Sequence, residues 1–169
     1  GSAGSGTPAH LAGEFFAALS GVQLVHVSYK GSAAPALDVM GGHIVMTIET
    51  ISPLLPHIRA GKLKALGVTS KVRSSQLPAV PAIAESGLPD YEILNWHGLL
   101  APAGTPTAVI DKLSRGVNQV MARPDVRARL IASGLEIAGS TPEAFRTFRQ
   151  ADFEKWGSIV KGANIKFEP

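Results

Sequence analysis

The chain has 169 residues, a high apolar content, few aromatic residues and a formal net charge of +3, which fits one ordinary domain or two small lobes. Charged residues are sparse and mixed in sign, and no basic run is interleaved with aromatic residues, which argues against nucleic-acid binding. Cysteine is absent, so disulfides, thiol catalysis and Cys-ligated zinc are excluded. No apolar run approaches the roughly 20 residues that a membrane-spanning helix needs.

The chain opens on a glycine-rich stretch, Gly1 to Thr7, that leads directly into an amphipathic helical pattern ending at Gly21. Thr7 suits the N-cap, and Pro8 suits the first helical position, where its missing N–H costs nothing. Free N–H groups and the helix dipole favour a negative charge at such a start, and glycines allow a ligand to approach closely. The stretch therefore predicts an anion-binding loop, with a disordered or vector-derived Gly/Ser tail as the alternative.

Strand and helix patterns then alternate. Strands are predicted at 22–29, 43–48 and 62–69. Between them lie a helix at 33–40 and a second helix, which follows residues 49–52, runs through Leu54, Leu55, Ile58 and Arg59, and is stopped by Gly61. The second strand is almost continuously apolar, which is typical of a strand covered on both faces. This order predicts an α/β lobe with a parallel sheet and right-handed crossovers.

The second half of the chain is richer in helices. A loop with one or two helical turns is predicted over 70–89, followed by an extended segment near 91–100. An amphipathic helix is predicted with Thr105 as its N-cap and Pro106 at its first position. Two further helices are predicted from Pro124 and from the segment 140–143, separated by a short strand at 135–138; the last helix carries one apolar stripe, formed by Phe145, Phe148, Trp156 and Ile159.

Recognisable catalytic and metal-binding patterns are missing from the sequence. The opening loop lacks the lysine of a P-loop, and Ser5 lies between Ala3 and Thr7 instead of the glycines of a nucleophile elbow. The five histidines show no helical pair at metal-binding spacing. We therefore predict no catalytic residues, no metal and no cofactor, and we interpret each histidine as a solvated or internally bonded side chain.

Three loops remain as candidates for a ligand site, because ligands collect beyond the carboxyl ends of parallel strands. These loops are Gly1 to Thr7, the turn from Tyr29 to Ala34, and the turn from Glu49 to Ser52. They supply backbone N–H groups, several hydroxyls and one carboxylate, which suits a small carboxylate-bearing ligand; helix capping is the alternative role for each hydroxyl. The predicted ligand-binding residues are Ser5, Gly6, Thr7, Ser32, Ala33, Glu49 and Thr50.

A series of motifs in this chain resembles the Bug-type solute-binding receptors of tripartite tricarboxylate transporters. They are Gly1-Ser-Ala-Gly-Ser-Gly-Thr-Pro-Ala-His-Leu-Ala-Gly-Glu14, Val27-Ser-Tyr-Lys-Gly-Ser-Ala-Ala-Pro-Ala-Leu37, Gly41-Gly-His-Ile, Pro56-His-Ile-Arg-Ala-Gly-Lys-Leu-Lys-Ala-Leu66, Thr69-Ser-Lys-Val-Arg-Ser74, Leu77-Pro-Ala-Val-Pro81, Trp96-His-Gly-Leu-Leu-Ala-Pro-Ala-Gly-Thr-Pro106 and Gly139-Ser-Thr-Pro-Glu143. They follow the order of the family over essentially the whole chain, which also favours a native opening loop over a tag.

The resemblance implies a periplasmic-binding-protein type II fold, in which two α/β lobes close on a small acidic solute like a Venus flytrap. Residues 1–94 would form the second lobe, with a three-layer parallel sheet. Residues 95–169 would supply a crossover strand and C-terminal helices that complete the first lobe. A secretion signal and most of the first lobe would lie upstream of this chain. At the end of the second strand the family usually has Asp-Asn, whereas this chain has Glu49-Thr50, which leaves the identity of the solute open.

Together these features predict a non-enzymatic, periplasmic receptor that binds a small carboxylate or dicarboxylate and works with the membrane subunits of a secondary transporter. One alternative is a small α/β transferase or hydrolase that uses the glycine-rich loop as a phosphate or oxyanion site. Another is that this chain binds no ligand on its own. The apolar stripes of the helices after residue 105 also predict self-association, since leaving both in water is unfavourable.

Overall fold

The computed structural model describes residues 1–162 and divides the chain into two compact units. Among the described residues, the first unit comprises Gly1–Asn95 together with 159–162, and the second comprises Trp96–Ser158. The helices of the described residues are α1 (Pro8–Ser20), α2 (Ala33–Met40), α3 (Ile51–Arg59), α4 (Thr107–Ala122), α5 (Pro124–Ala132) and α6 (Pro142–Gly162), with a 3-10 turn at Ile83–Ser86.

Helix α1 begins and ends where its capping residues predict, whereas α2 and α3 begin without a side-chain cap. Thr7 is the N-cap of α1, Pro8 occupies its first position, and Gly21 ends it in the left-handed region at φ 71°. Helix α2 spans the predicted residues 33–40. Helix α3 ends two residues before Gly61, which has a φ of 69°.

The predicted sheet is not confirmed, because no segment among residues 1–162 forms a continuous strand ladder. Two isolated bridges occur instead, Ser2 with Ser28 and Val68 with Ala82, and both are parallel. At the first bridge, the Ser2 nitrogen donates to the Val27 oxygen at 3.1 Å, and the Tyr29 nitrogen donates to the Ser2 oxygen at 3.0 Å. Neither bridge joins two of the predicted strands, so their mutual parallel order stays a prediction.

The three predicted strands expose apolar side chains. Val25 is 91% exposed, Val45 is 96% exposed and Leu66 is 68% exposed. An extended segment becomes a strand only when a neighbouring segment satisfies its backbone groups, and a covered face is what makes its apolar side chains stabilising. Among the described residues these segments form no ladder, and residues 43–45 and 62–63 are bends.

Tyr91 is the centre of the buried core of the first unit. Its side chain is 0% exposed, its ring stacks on Phe15 at 5.4 Å between centroids, and it meets Phe16 edge to face at 6.1 Å. The phenol donates a hydrogen bond to the Ala12 carbonyl of α1 at 3.0 Å, and burial raises the pKa of Tyr91. This contact fixes α1 on the segment that follows the 3-10 turn.

Trp96 and Asp152 organise the second unit. Asp152 is 7% exposed, and its Oδ2 accepts hydrogen bonds from both indole N–H groups, that of Trp96 at 2.8 Å and that of Trp156 at 3.1 Å. The ring of Trp96 packs edge to face against Phe145 and Phe148, with centroids 5.4 and 5.7 Å apart. Part of the apolar stripe of α6 therefore packs against Trp96 within its own unit, although Phe148 is still 37% exposed.

Helix α4 begins later than predicted. Thr105 does not cap it: the Thr105 hydroxyl donates to the Pro102 carbonyl in the preceding turn at 2.8 Å, and Pro106 takes the N-cap position without a side-chain bond. The predicted stripe of α4 is largely uncovered, with Val109 45%, Leu113 57% and Val120 50% exposed. It lines an open apolar depression of about 870 Å³.

The remaining elements of the second unit agree in part with the sequence. Helix α6 starts at Pro142, and the Thr141 hydroxyl accepts from the Ala144 nitrogen at 3.2 Å, as the N-terminal signature predicts. The short strand expected at 135–138 does not form. No helix within residues 1–162 is long and apolar enough to cross a membrane.

Candidate ligand-binding site

The opening stretch runs between the two other candidate loops and is bonded to both sides. Toward the first predicted strand, the Gly31 nitrogen donates to the Ala3 carbonyl at 3.0 Å. Toward the second, the Gly1 nitrogen donates to the Met46 carbonyl at 2.8 Å, and the Thr47 hydroxyl donates to the Gly1 carbonyl at 2.9 Å. These bonds gather the segments that lead into α1, α2 and α3.

A reciprocal pair of hydrogen bonds fixes the start of α1. The Thr7 hydroxyl accepts from the His10 nitrogen at 3.3 Å and donates to the Gly4 carbonyl at 2.7 Å. In the other direction, the Gly6 nitrogen donates to Nδ1 of His10 at 3.1 Å. In a capping box a Glu or Gln three residues after the N-cap accepts from the N-cap nitrogen, whereas His10 accepts from the nitrogen of Gly6, one residue earlier. The bond requires an unprotonated Nδ1.

His10 also belongs to a buried cluster that the sequence interpretation missed, because it treated each histidine separately. His10 is 6% exposed and its ring stacks on that of His26 with centroids 3.9 Å apart. Nε2 of His26 lies 2.7 Å from the hydroxyl of Ser2, and Nε2 of His10 lies 3.6 Å from a carboxylate oxygen of Glu14. The spacing Thr7-x-x-His10, which matches a capping box, is the signal that could have indicated part of this cluster.

The backbone amides of the opening loop are not open as the anion-loop hypothesis expects. The Ser5 nitrogen donates to the Ser28 hydroxyl at 3.1 Å, and the Thr7 nitrogen donates to the Gly4 carbonyl at 3.3 Å. With Gly6 bonded to His10, each of the three predicted ligand residues of this loop has an internal acceptor. Their assignment to a ligand stays a prediction, and it requires the loop to exchange these bonds on binding.

Helix α2 begins without a side-chain cap. Ser32 occupies its N-cap position but makes no capping hydrogen bond, and Ala33, the first helical residue, is exposed. The preceding turn is held by Tyr29, whose hydroxyl donates to Oδ2 of Asp38 at 2.6 Å. This bond, followed by the one to His43, lowers the pKa of Asp38, and the same bond to Asp38 raises the pKa of Tyr29.

Helix α3 also begins without a side-chain cap from its N-cap residue, Thr50. Instead, Oε1 of Glu49 accepts the Thr50 nitrogen at 2.9 Å and the Thr50 hydroxyl at 3.4 Å. The second carboxylate oxygen, Oε2, is buried and has no hydrogen-bond partner among residues 1–162. Glu49 and Thr50 are therefore brought together at the start of α3, with one oxygen left unsatisfied.

The three helix starts share one electrostatic property, which is that α1, α2 and α3 carry no acidic residue in their first turns. The positive end of each helix dipole is thus not compensated from within the helix, and free N–H groups at such ends attract anions. By contrast, no group of three or more His, Asp or Glu residues in the described part of the chain could hold a metal ion.

The sequence model of the tripartite tricarboxylate transporter family receptor, TctC, matches residues 1–165. The chain belongs to this family. It is 41% identical over 160 residues to a UPF0065 protein from the tcbD-tcbE intergenic region of Pseudomonas sp. (strain P51), covering 94% of this chain and 48% of that protein. It is 34% identical over 159 residues to a UPF0065 protein from the clcB-clcD intergenic region of Pseudomonas knackmussii, covering 94% of each. The chain spans about half the length of the first of these relatives.

The structure of the chain is similar to those of solved solute-binding proteins. R. palustris Rpa4515 with adipate superposes with a TM-score of 0.83 at 32% identity, covering 95% of this chain and 54% of that one. The periplasmic binding protein BugD superposes at 0.78 and 31% identity, covering 95% and 54%. MatC from Rhodopseudomonas palustris with bound malate superposes at 0.73 and 27% identity, covering 90% and 53%. The predicted Bug-type receptor is confirmed, as is the prediction that the TctC chain is not an enzyme.

Proposed function

We propose that this TctC-family chain is part of a periplasmic receptor that captures a small carboxylate and delivers it to the membrane subunits of a tripartite tricarboxylate transporter. We assign 1–94 to the ligand-binding lobe and 95–169 to the part that completes the other; the boundary between the two compact units at Asn95 supports the first limit, whereas the end of α6 from Ile159 groups with the first unit. The neighbours that hold adipate and malate support a carboxylate as the class of ligand.

The observation that carries the proposal is the convergence of three helix starts through the bonds of the opening loop to both flanking segments. None of the three has a first-turn carboxylate, and only α3 has one just before its N-cap, in Glu49, so the dipoles and N–H groups of α1 and α2 favour an anion. The proposed contacts are the predicted ligand residues, which come from the three loops: Ser5, Gly6, Thr7, Ser32, Ala33, Glu49 and Thr50. For the opening loop, a ligand carboxylate would replace His10 and the Ser28 hydroxyl as acceptors of the Gly6 and Ser5 amides.

Calorimetric titration of the chain with adipate, malate and the uncharged diamide adipamide tests the proposal. We expect heat from at least one dicarboxylate and none from the diamide. The variant Ser32→Asp sharpens the test, because Asp is a good N-cap that preserves α2 while adding a negative charge where the ligand carboxylate would lie. A loss of about 1.4 kcal/mol in the binding free energy of the dicarboxylate corresponds to tenfold weaker binding. Binding of adipamide as strong as that of adipate would contradict the proposal.

The control variant is Thr141→Asp, which places the same charge at the N-cap of α6 in the second unit. Dicarboxylate binding should be unchanged in this variant, since α6 starts outside the three candidate loops. If both variants weaken binding equally, net charge and not a local site determines the affinity, and the assignment of the three loops fails.

A further inference from the structure

A buried pair of histidines lies directly against the opening loop of the proposed site. His10 is 6% exposed, and its ring stacks on that of His26 with the centroids 3.9 Å apart and the ring planes at 23°. The Gly6 nitrogen donates to Nδ1 of His10 at 3.1 Å, so one amide of the loop is bonded to an atom that can also bind a proton. Nδ1 cannot accept this hydrogen bond and carry a proton at the same time.

The groups around His10 set the form of its ring and the number of protons that the pair can take up. Because Nδ1 accepts, the neutral ring carries its hydrogen on Nε2, which lies 3.6 Å from a carboxylate oxygen of Glu14 on the same helix. Glu14 favours the protonated ring, whereas burial and the bond from Gly6 favour the neutral ring. A second positive charge on the stacked ring of His26 is unfavourable at this distance, so the pair binds a single proton.

The opening loop itself contributes no ionisable side chain to this cluster. Its Ser2 hydroxyl lies 2.7 Å from Nε2 of His26. The amino group of Gly1, whose pKa is lowered by burial, donates to the Met46 carbonyl. His10 is therefore the titratable side chain that bonds to a loop amide of the proposed ligand site.

We propose that His10 couples carboxylate binding at the opening loop to the uptake of one proton from solvent. This inference rests on the proposed function, in which the ligand carboxylate replaces His10 as the acceptor of the Gly6 amide. Once the ligand accepts that amide, the neutral ring loses the bond that stabilised it, and the negative charge of the ligand favours the imidazolium. The added proton makes Nδ1 a donor, which repels the Gly6 N–H group and attracts the carboxylate.

This exchange gives the pH dependence of binding a definite sign. The complex holds more protons than the free chain, so affinity rises as the pH falls toward the range near pH 6.5 in which histidine ordinarily titrates. Uptake of a full proton changes the affinity about tenfold per pH unit, and uptake of half a proton changes it about threefold. The carboxyl groups of the ligand ordinarily titrate well below this range, so they contribute little.

Calorimetric titration of the chain with adipate and with malate measures the proton uptake directly. Each titration is run at pH 7 in PIPES and in imidazole buffer, whose heats of ionisation differ, so the difference in observed heat gives the number of protons taken up. We expect about half a proton or more per bound ligand, and an affinity that falls at least about threefold from pH 7 to pH 8. Nitrogen-15 NMR of the imidazole rings gives a second readout without a variant, because one Nδ1 should change from unprotonated to protonated when ligand is added.

His10→Asn is the test variant, since its side-chain oxygen can accept from the Gly6 amide near the position of Nδ1 but cannot take up a proton. It should lose the proton uptake and bind with an affinity that is constant from pH 7 to pH 8. His97→Asn, which removes an exposed histidine of the second unit, is the matched control and should keep both effects. Circular dichroism should show that both variants are folded.

The outcomes separate the inference from the proposed function. Binding of either ligand without proton uptake, uptake that survives in His10→Asn, or imidazole spectra that do not change on binding overturns the inference while the proposed function stands. Failure of both adipate and malate to bind overturns the proposed function and the inference with it.

Discussion

Replacement of Tyr91 by Phe tests how α1, the helix that begins at the proposed site, is held in the first unit. The change removes one buried hydroxyl that donates to the Ala12 carbonyl at 3.0 Å, and it leaves the ring to stack on Phe15 and Phe16. The Ala12 carbonyl also accepts the regular bond of α1, so the loss does not orphan it. The expected decrease in the free energy of unfolding at pH 8 is therefore that of a single net hydrogen bond, about 0.5–1.5 kcal/mol.

The pH dependence of this difference provides a second, independent readout. Burial raises the pKa of Tyr91 above its ordinary value of 10.0, so the folded chain retains the phenol proton where the unfolded chain has lost it. The stabilising contribution of the neutral phenol is complete below pH 10 and decreases by about 1.4 kcal/mol for each pH unit above it. Wild type should lose its advantage over Tyr91→Phe about 0.5–1 pH unit above pH 10 and be the less stable protein beyond that.

Urea unfolding followed by circular dichroism from pH 8 to 11 measures both effects. Tyr91→Leu should be far more destabilising at every pH, because it removes the ring contacts as well. A Tyr91→Phe variant that equals wild type at pH 8, or a difference that stays constant up to pH 11, would refute the reasoning that a buried, bonded phenol anchors α1.

Three further predictions concern other contacts. Thr7→Ala should lower the free energy of unfolding by about 0.5–2 kcal/mol in urea titrations, because it removes the N-cap of α1, and an unchanged stability would mean that the opening loop is not ordered in solution. Asp152→Asn should lower the free energy of unfolding by about 1–3 kcal/mol and change the tryptophan emission spectrum, because an amide nitrogen can then face the indole N–H groups. Unchanged emission would contradict the hydrogen bonds that both indoles donate to Asp152. Leu113→Glu should abolish the self-association that is predicted for the α4 stripe, as measured by sedimentation equilibrium. Phe153→Glu, which changes an exposed residue of α6, is the control. A monomeric wild type at high concentration would rule the association out.

Local signals in the sequence predict the helices well. Thr7, Pro8 and Gly21 determine the ends of α1 through backbone geometry that involves only neighbouring residues. Thr105 shows the limit of such reasoning, because its hydroxyl can serve the turn at Pro102 as well as a helix, and the next proline moves the start of α4 to Thr107. A hydroxyl near a helix start therefore identifies the region but not the first residue.

Contacts between distant segments could not be predicted in the same way. The segments 22–29 and 43–48 form no strands among the described residues, and nothing in their patterns indicates that Ser2 pairs with Ser28 or that Gly1 bonds to Met46. Likewise, the stacking of His10 on His26 joins residues 16 positions apart, and the unsatisfied oxygen of Glu49 arises only from burial in the folded chain. The sequence identified the loops of the candidate site, whereas its internal bonding required the structure.

The distribution of aromatic residues has a practical consequence for spectroscopy. Both tryptophans of the chain, Trp96 and Trp156, belong to the second unit, and both tyrosines, Tyr29 and Tyr91, belong to the first. Emission excited selectively in tryptophan therefore reports on the second unit only, and tyrosine absorbance reports on the first. Unfolding of one label-free sample can be followed separately in each unit, and a ligand bound at the three loops should perturb Tyr29, at the edge of the second loop, before either indole responds.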